Sequence, residues 1–153
     1  GRLLQVTGAR SSQHASDDGF VHIIKDMTDL VGVREELAHK QEILENVIHS
    51  LGLYVTVKDA EGRYLLANKA YCQRMGLSES KLVGRIDKDV VGATIAARWN
   101  TADRQCIEHN DGLVFEDFVE VNGTIAKVRV SKRPLHNSNN DVIGVLTISE
   151  RVD

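Results

Sequence analysis

Leu53-Tyr54-Val55-Thr56-Val57-Lys58-Asp59-Ala60-Glu61-Gly62-Arg63-Tyr64-Leu65-Leu66-Ala67-Asn68-Lys69-Ala70 is the stretch that decides the fold. From Leu53 the apolar residues recur every second position, so 53–58 reads as a strand. Asp59 to Gly62 reads as a tight turn, with Gly62 suited to positive φ. Tyr64–Ala67 is the returning strand. Asn68 then caps a short helix, Lys69–Met75, which stops at Gly76.

Downstream, Ser78 opens a second helical turn that ends near Gly84. A long helix is expected over about 94–109, with Ile95, Trp99, Ala102 and Cys106 on one stripe. Three strands follow, 113–121, 124–132 and 142–149, and Asn122-Gly123 is a strong hairpin signal between the first two. Along the middle strand Ala126, Val128 and Val130 share one face. Lys127 and Arg129 share the other, which is expected to be exposed. The expected order is β-β-α-α-α-β-β-β, an α+β fold with one five-stranded antiparallel sheet and helices on one face.

Upstream lies a heptad: Leu30, Val33, Leu37, Lys40, Leu44, Val47, Leu51. A helix over about 29–51, started by Thr28 or Asp29, would carry this seam and need a second copy to bury it, as a coiled-coil homodimer. Lys40 in a seam position would cost stability and specify register. Glu35 and Glu36 stand at helical spacing from His39 and Lys40. Before it, 2–7 and 19–25 are short apolar stretches around Asp18-Gly19, expected as a β-hairpin.

Composition narrows the function. With 153 residues the chain fits one domain plus an appendage. Net charge is −3, the basic residues are scattered and aromatics make up 5%, so no nucleic-acid surface is expected. No apolar run reaches the roughly 18 residues that span a bilayer, so no membrane contact is expected. Cys72 and Cys106 are the only cysteines, too few and too far apart for a metal site, and are read as buried thiols in a cytoplasmic protein.

Taken together, these segments resemble the PAS sensory family. Asp59-x-x-Gly62-Arg63-Tyr64 through Asn68-Lys69-Ala70 looks like its first hairpin and helix cap. Gly76-Leu77 and Leu82-Val83-Gly84-Arg85 resemble its helical segment. Lys132-Arg133-Pro134-Leu135 and Val142-Ile143-Gly144-Val145 resemble its closing hairpin. The resemblance covers about 44–153. Asp26-Met27-Thr28 is similar to the motif that ends the family's last strand and feeds a signalling helix. On that reading 1–28 is the closing hairpin of a preceding domain, 29–51 the signalling helix and 52–153 the sensory domain, within a longer signalling protein such as a sensor histidine kinase. Arg151-Val152-Asp153 departs from the same motif at the chain's end.

The resemblance implies a cavity between sheet and helices for a small ligand. Residues expected to line it are Val55, Val57, Tyr71, Met75, Arg98, Trp99, Cys106 and Val128. Cofactor identity stays open. The flavin-photochemical members' cysteine motif is absent, and His109, the one histidine near the haem position, sits at a helix end where a cation is favoured anyway, so both cofactors are disfavoured. His39 and His49 lack the acidic and proline neighbours of a phosphoacceptor. No catalytic constellation is expected, and no metal site. The rival readings are a ligand-free dimerisation module and a small α+β enzyme using Glu116 or Asp117.

Overall fold

The computed structural model describes residues 17–121 and 123–152. Helix α1 spans Asp17–Ser50. Strands β1 (Tyr54–Asp59) and β2 (Tyr64–Ala67) form the first hairpin. Four helices follow: α2 (Lys69–Met75), α3 (Glu79–Leu82), α4 (Lys88–Val91) and α5 (Ala93–His109). Strands β3 (Leu113–Val121), β4 (Thr124–His136) and β5 (Val142–Arg151) complete the sheet. All pairings are antiparallel, in the order β2-β1-β5-β4-β3. The expected α+β class and five-stranded sheet are therefore present, with α4 as an extra short helix.

Residues 19–25 are helical, not the strand expected there; the partner stretch 2–7 lies outside the described residues. Phe20, Ile23, Ile24, Met27 and Leu30 also follow a helical spacing, and short apolar runs fit either period. Asp17 and Asp18 favour a helix start through the backbone dipole. Thr28 and Asp29 are consequently interior to α1 rather than its caps. Glu36 and Lys40 form the i,i+4 ion pair, at 2.8 Å. The seam residues Leu30, Val33, Leu37, Leu44, Val47 and Leu51 are all exposed in the single chain, by 38% to 62%.

Asn68 joins three elements. Its Oδ1 accepts the Tyr71 N–H at 3.0 Å, capping α2, and the Val55 N–H of β1 at 3.1 Å. Its Nδ2 donates to Leu53 O at 2.8 Å and to Ile48 O, in the last turn of α1, at 3.1 Å. The side chain is fully buried, so every one of these bonds replaces water that is excluded.

The segment after α3 closes the open edge of β2. Tyr64 N–H donates to Arg85 O at 2.9 Å, and Gly84, with φ of +84°, donates to Tyr64 O at 2.8 Å. This pairing delivers Asp87 to the interior. On the opposite side of β1, Gly144 faces Lys58 and Asp59; a Cβ at Gly144 would collide with the Lys58 carbonyl oxygen. The close approach keeps Lys58 in register with β5.

Asn68→Ala strips partners from two buried N–H groups and two carbonyls, and should cost on the order of 2–3 kcal/mol in urea unfolding. Asn68→Asp keeps both acceptor bonds but sets a carboxylate oxygen against the Ile48 and Leu53 carbonyls. Amide exchange should then quicken in the last turn of α1 while α2 stays protected; equal protection in both helices would count against the joint.

Candidate functional site

A cavity of about 40 Å³ lies between the sheet and α2 and α5. That is several times the roughly 10–15 Å³ one water needs. Four strands contribute alternating rows to it: Tyr54, Thr56 and Lys58 from β1, Thr147 and Ser149 from β5, Val128, Val130 and Lys132 from β4, and Phe115, Asp117 and Val119 from β3. Tyr64 of β2 flanks it, and Tyr71, Arg74 and Trp99 close it from the helix side.

Its floor is a buried charge network. Lys58 Nζ donates to Asp87 Oδ2 at 2.5 Å and to Asp103 Oδ2 at 3.0 Å. Lys132 Nζ donates to Asp103 Oδ1 and, at 3.0 Å, to Thr147 Oγ1. Tyr64 donates its hydroxyl to Asp87 Oδ1 at 2.7 Å, and the Tyr64 and Tyr71 hydroxyls meet at 2.7 Å. Asp87 is wholly buried, and both lysines and Asp103 nearly so. Such charges persist away from water only when paired and hydrogen-bonded.

The two ammoniums respond differently to the same burial. Burial pushes the Lys58 value down, but Asp103 and Asp87 together outweigh it and hold it above the ordinary lysine range. For Lys132 burial wins and its value falls: it is bonded to one carboxylate, Asp103, with a weaker pull from Asp87, and is repelled by Lys58. Burial would raise the Asp103 carboxyl, yet the two flanking ammoniums hold it below the usual carboxylate value. Burial drives the Tyr64 and Tyr71 phenols up, so both remain protonated donors.

Of the residues expected to line the cavity, the structure brings Tyr71, Trp99 and Val128 to it. Val55 and Val57 point to the other face of β1, because its inward row is Tyr54, Thr56 and Lys58. Met75 and Arg98 line a neighbouring groove beside Trp99, and Arg98 ion-pairs with Asp117 at 3.2 Å. Cys106 is fully buried in packing, one turn beyond Asp103. Glu116 is on the outer sheet face, paired with Lys127 at 2.5 Å. The lysines and aspartates of the floor escaped the sequence reading, which took the apolar row of β1 as the inner one. Parity carried a usable signal in β4: Lys132 is two residues beyond Val130 and shares its face. Among the described residues no cluster of His, Cys, Asp and Glu could hold a metal ion.

Asp103→Asn should lower stability by about 3–5 kcal/mol, since two buried ammoniums lose their common counter-charge. The pair Asp103→Leu with Lys132→Met removes one charge of each sign and should recover most of that loss in urea titrations. The depressed Asp103 carboxyl also sets an acid limb. Its contribution is complete above the unfolded value near 3.8 and is lost as pH falls toward the lower native value. A stability profile of the wild type that stays flat from pH 4.5 down to pH 2 would contradict this.

Comparison with known proteins agrees with this geometry. A family model described as PAS fold matches residues 48–153. A diguanylate cyclase of Vibrio cholerae is 32% identical over 120 residues, which are 75% of this chain and 37% of that protein. The chain thus spans just over a third of that relative's length. VqmA bound to DPO superposes with a TM-score of 0.65 at 23% identity, over 71% of this chain and 55% of that one. The PAS domain of Bordetella pertussis BvgS superposes at 0.61 with 19% identity, over 77% of this chain and 89% of that one. At such identities the two structures share the fold. With the family match covering more than half of its length, the chain belongs to the PAS family of sensory signalling domains.

Proposed function

We propose that this chain senses a small polar molecule in the cavity above Lys58 and Lys132 and relays its presence through α1 of a homodimer to an attached output domain. The buried charge network at the cavity floor is the observation that carries this reading. A core whose sole task were stability would be filled by apolar side chains, which pack as well without desolvating four charges. The Asn68 joint supports the relay: α2 carries Tyr71 and Arg74 at the cavity and is capped by the residue that holds the end of α1. A ligand that favours one placement of α2 would bias α1 through that amide.

The exposed heptad supports dimerisation through residues 29–51, and a two-fold parallel coil is the simplest closure. The diguanylate cyclase relative favours a nucleotide-cyclising enzyme as the output, ahead of a histidine kinase. The two unpaired cysteines suit a cytoplasmic setting. Among the described residues no helix is long and apolar enough to cross a membrane. One observation favours a ligand-free relay as the second reading: Lys58, Lys132, Asp87 and Asp103 already satisfy one another.

Native mass spectrometry of gently purified protein separates the two readings. The sensor reading expects a non-covalent adduct that disappears on denaturation, or a rise in Tm with a metabolite library; a chain that shows neither is the bare relay. Leu37→Glu with Leu44→Glu should convert a dimer to a monomer in multi-angle light scattering, with the sheet's circular dichroism unchanged. A wild type that is monomeric at 100 μM would remove α1 from the relay.

A further inference from the structure

Among the described residues Arg74 forms no ion pair. Its guanidinium lies over the rings of Tyr54, at 5.3 Å, and Tyr71, at 5.9 Å. Its Nε is the one buried side-chain nitrogen or oxygen among the described residues that has no hydrogen-bond partner. Ring faces attract the charge but offer no acceptor to an N–H in the guanidinium plane. Every other charge around the cavity is matched: Lys58 and Lys132 by Asp87 and Asp103, and Arg98 by Asp117. Glu120 lines the neighbouring groove with Arg74 and Arg98 but forms no ion pair with either, so Arg74 is the cation at the cavity left without one among the described residues.

The rest of the lining also offers donors. Each ammonium has three N–H groups, and Lys58 and Lys132 each spend two on the floor. The Thr56 and Ser149 hydroxyls add to these. Asp117, the one carboxylate in the lining, is held by Arg98. An unpaired guanidinium, its bare buried Nε and the lysine ammoniums adjoin the same space, and the walls beside them are the rings of Tyr54, Tyr71 and Trp99 with Val128 and Val130.

We infer that the ligand is a small monocarboxylate with a short apolar body, its carboxylate meeting Arg74 and its body seated against Trp99 and the valines. This rests on the sensor reading above and names the class of molecule sensed. A carboxylate gives Arg74 an ion pair and fits a guanidinium edge bidentately. A neutral molecule would leave Arg74 without an ion pair.

Isosteric acid and amide pairs test it on the full chain by calorimetry and thermal shift at fixed ionic strength: acetate with acetamide, propionate with propionamide. In at least one pair the acid should bind about tenfold or more tightly than its amide, as expected for a charge-assisted bidentate contact. Arg74→Gln should abolish that preference, and Arg74→Lys should retain part of it, with circular dichroism confirming that both variants are folded. An amide that binds as well as its acid, or acid binding untouched by Arg74→Gln, would overturn the carboxylate assignment while leaving a sensor of neutral molecules standing. Acids and amides that all fail to bind would overturn it too. If native mass spectrometry and the metabolite library are also blank, the sensor reading falls with it.

Discussion

One buried amide holds the parts of this domain in register. Asn68 satisfies both its donors and both its acceptor directions against α1, the loop before β1, β1 itself and α2. No other residue type does this. Aspartate has no donors, glutamine would carry the amide one methylene too far, and serine has too few groups. Because the site excludes water, each bond is worth the desolvation penalty it avoids rather than the small net value of an exposed one. The consequence is geometric: the end of the N-terminal helix and the start of the cavity-lining helix move with the same side chain.

The buried charges form the second constraint. A Lys–Asp network of this depth is a poor source of stability compared with apolar packing, because each ion is taken out of water. It does supply directed, immobile dipoles in a space of low polarisability, where a ligand's polar groups are recognised more sharply than at a surface. The opposite displacements of Lys58 and Lys132 follow from their neighbours: Lys58 is bonded to two carboxylates, whereas Lys132 is bonded to one and repelled by Lys58. The ammonium with two carboxylates is secured, and the one sharing a single carboxylate is less so. Lys132 also touches Thr147 of β5, so the network crosses the sheet from β1 to β4 through the strand between them.

The framework of the domain was legible in the sequence for local reasons. Period-two patterns, a capping Asn68, turn glycines and the 122–123 hairpin signal each act over a few residues, so β1 to β3 and α2, α3 and α5 appear where expected. The stretch 19–25 reads as a strand for an equally local reason: it is too short for its period to choose between strand and helix, and it is helical in the structure. The cavity row of β1 was misassigned because Val55 and Val57 are the apolar alternates, and apolar alternates usually face inward. Here the inner face needed Thr56 and Lys58.

The sequence by itself determined the α+β class, the order of the sensory fold and the exposed heptad, because propensity, capping and periodicity are properties of neighbouring residues. Only the tertiary structure decided that Lys58, Asp87, Asp103 and Lys132 meet and that Arg74 is left without a carboxylate. Those residues are separated by tens of positions along the chain, and the long-range pairing of β1 with β5 and the packing of α5 on the sheet bring them within hydrogen-bonding distance. Charge pairing across such separations leaves no period in the chain; it arises when buried ions have no water to turn to and only one another as partners.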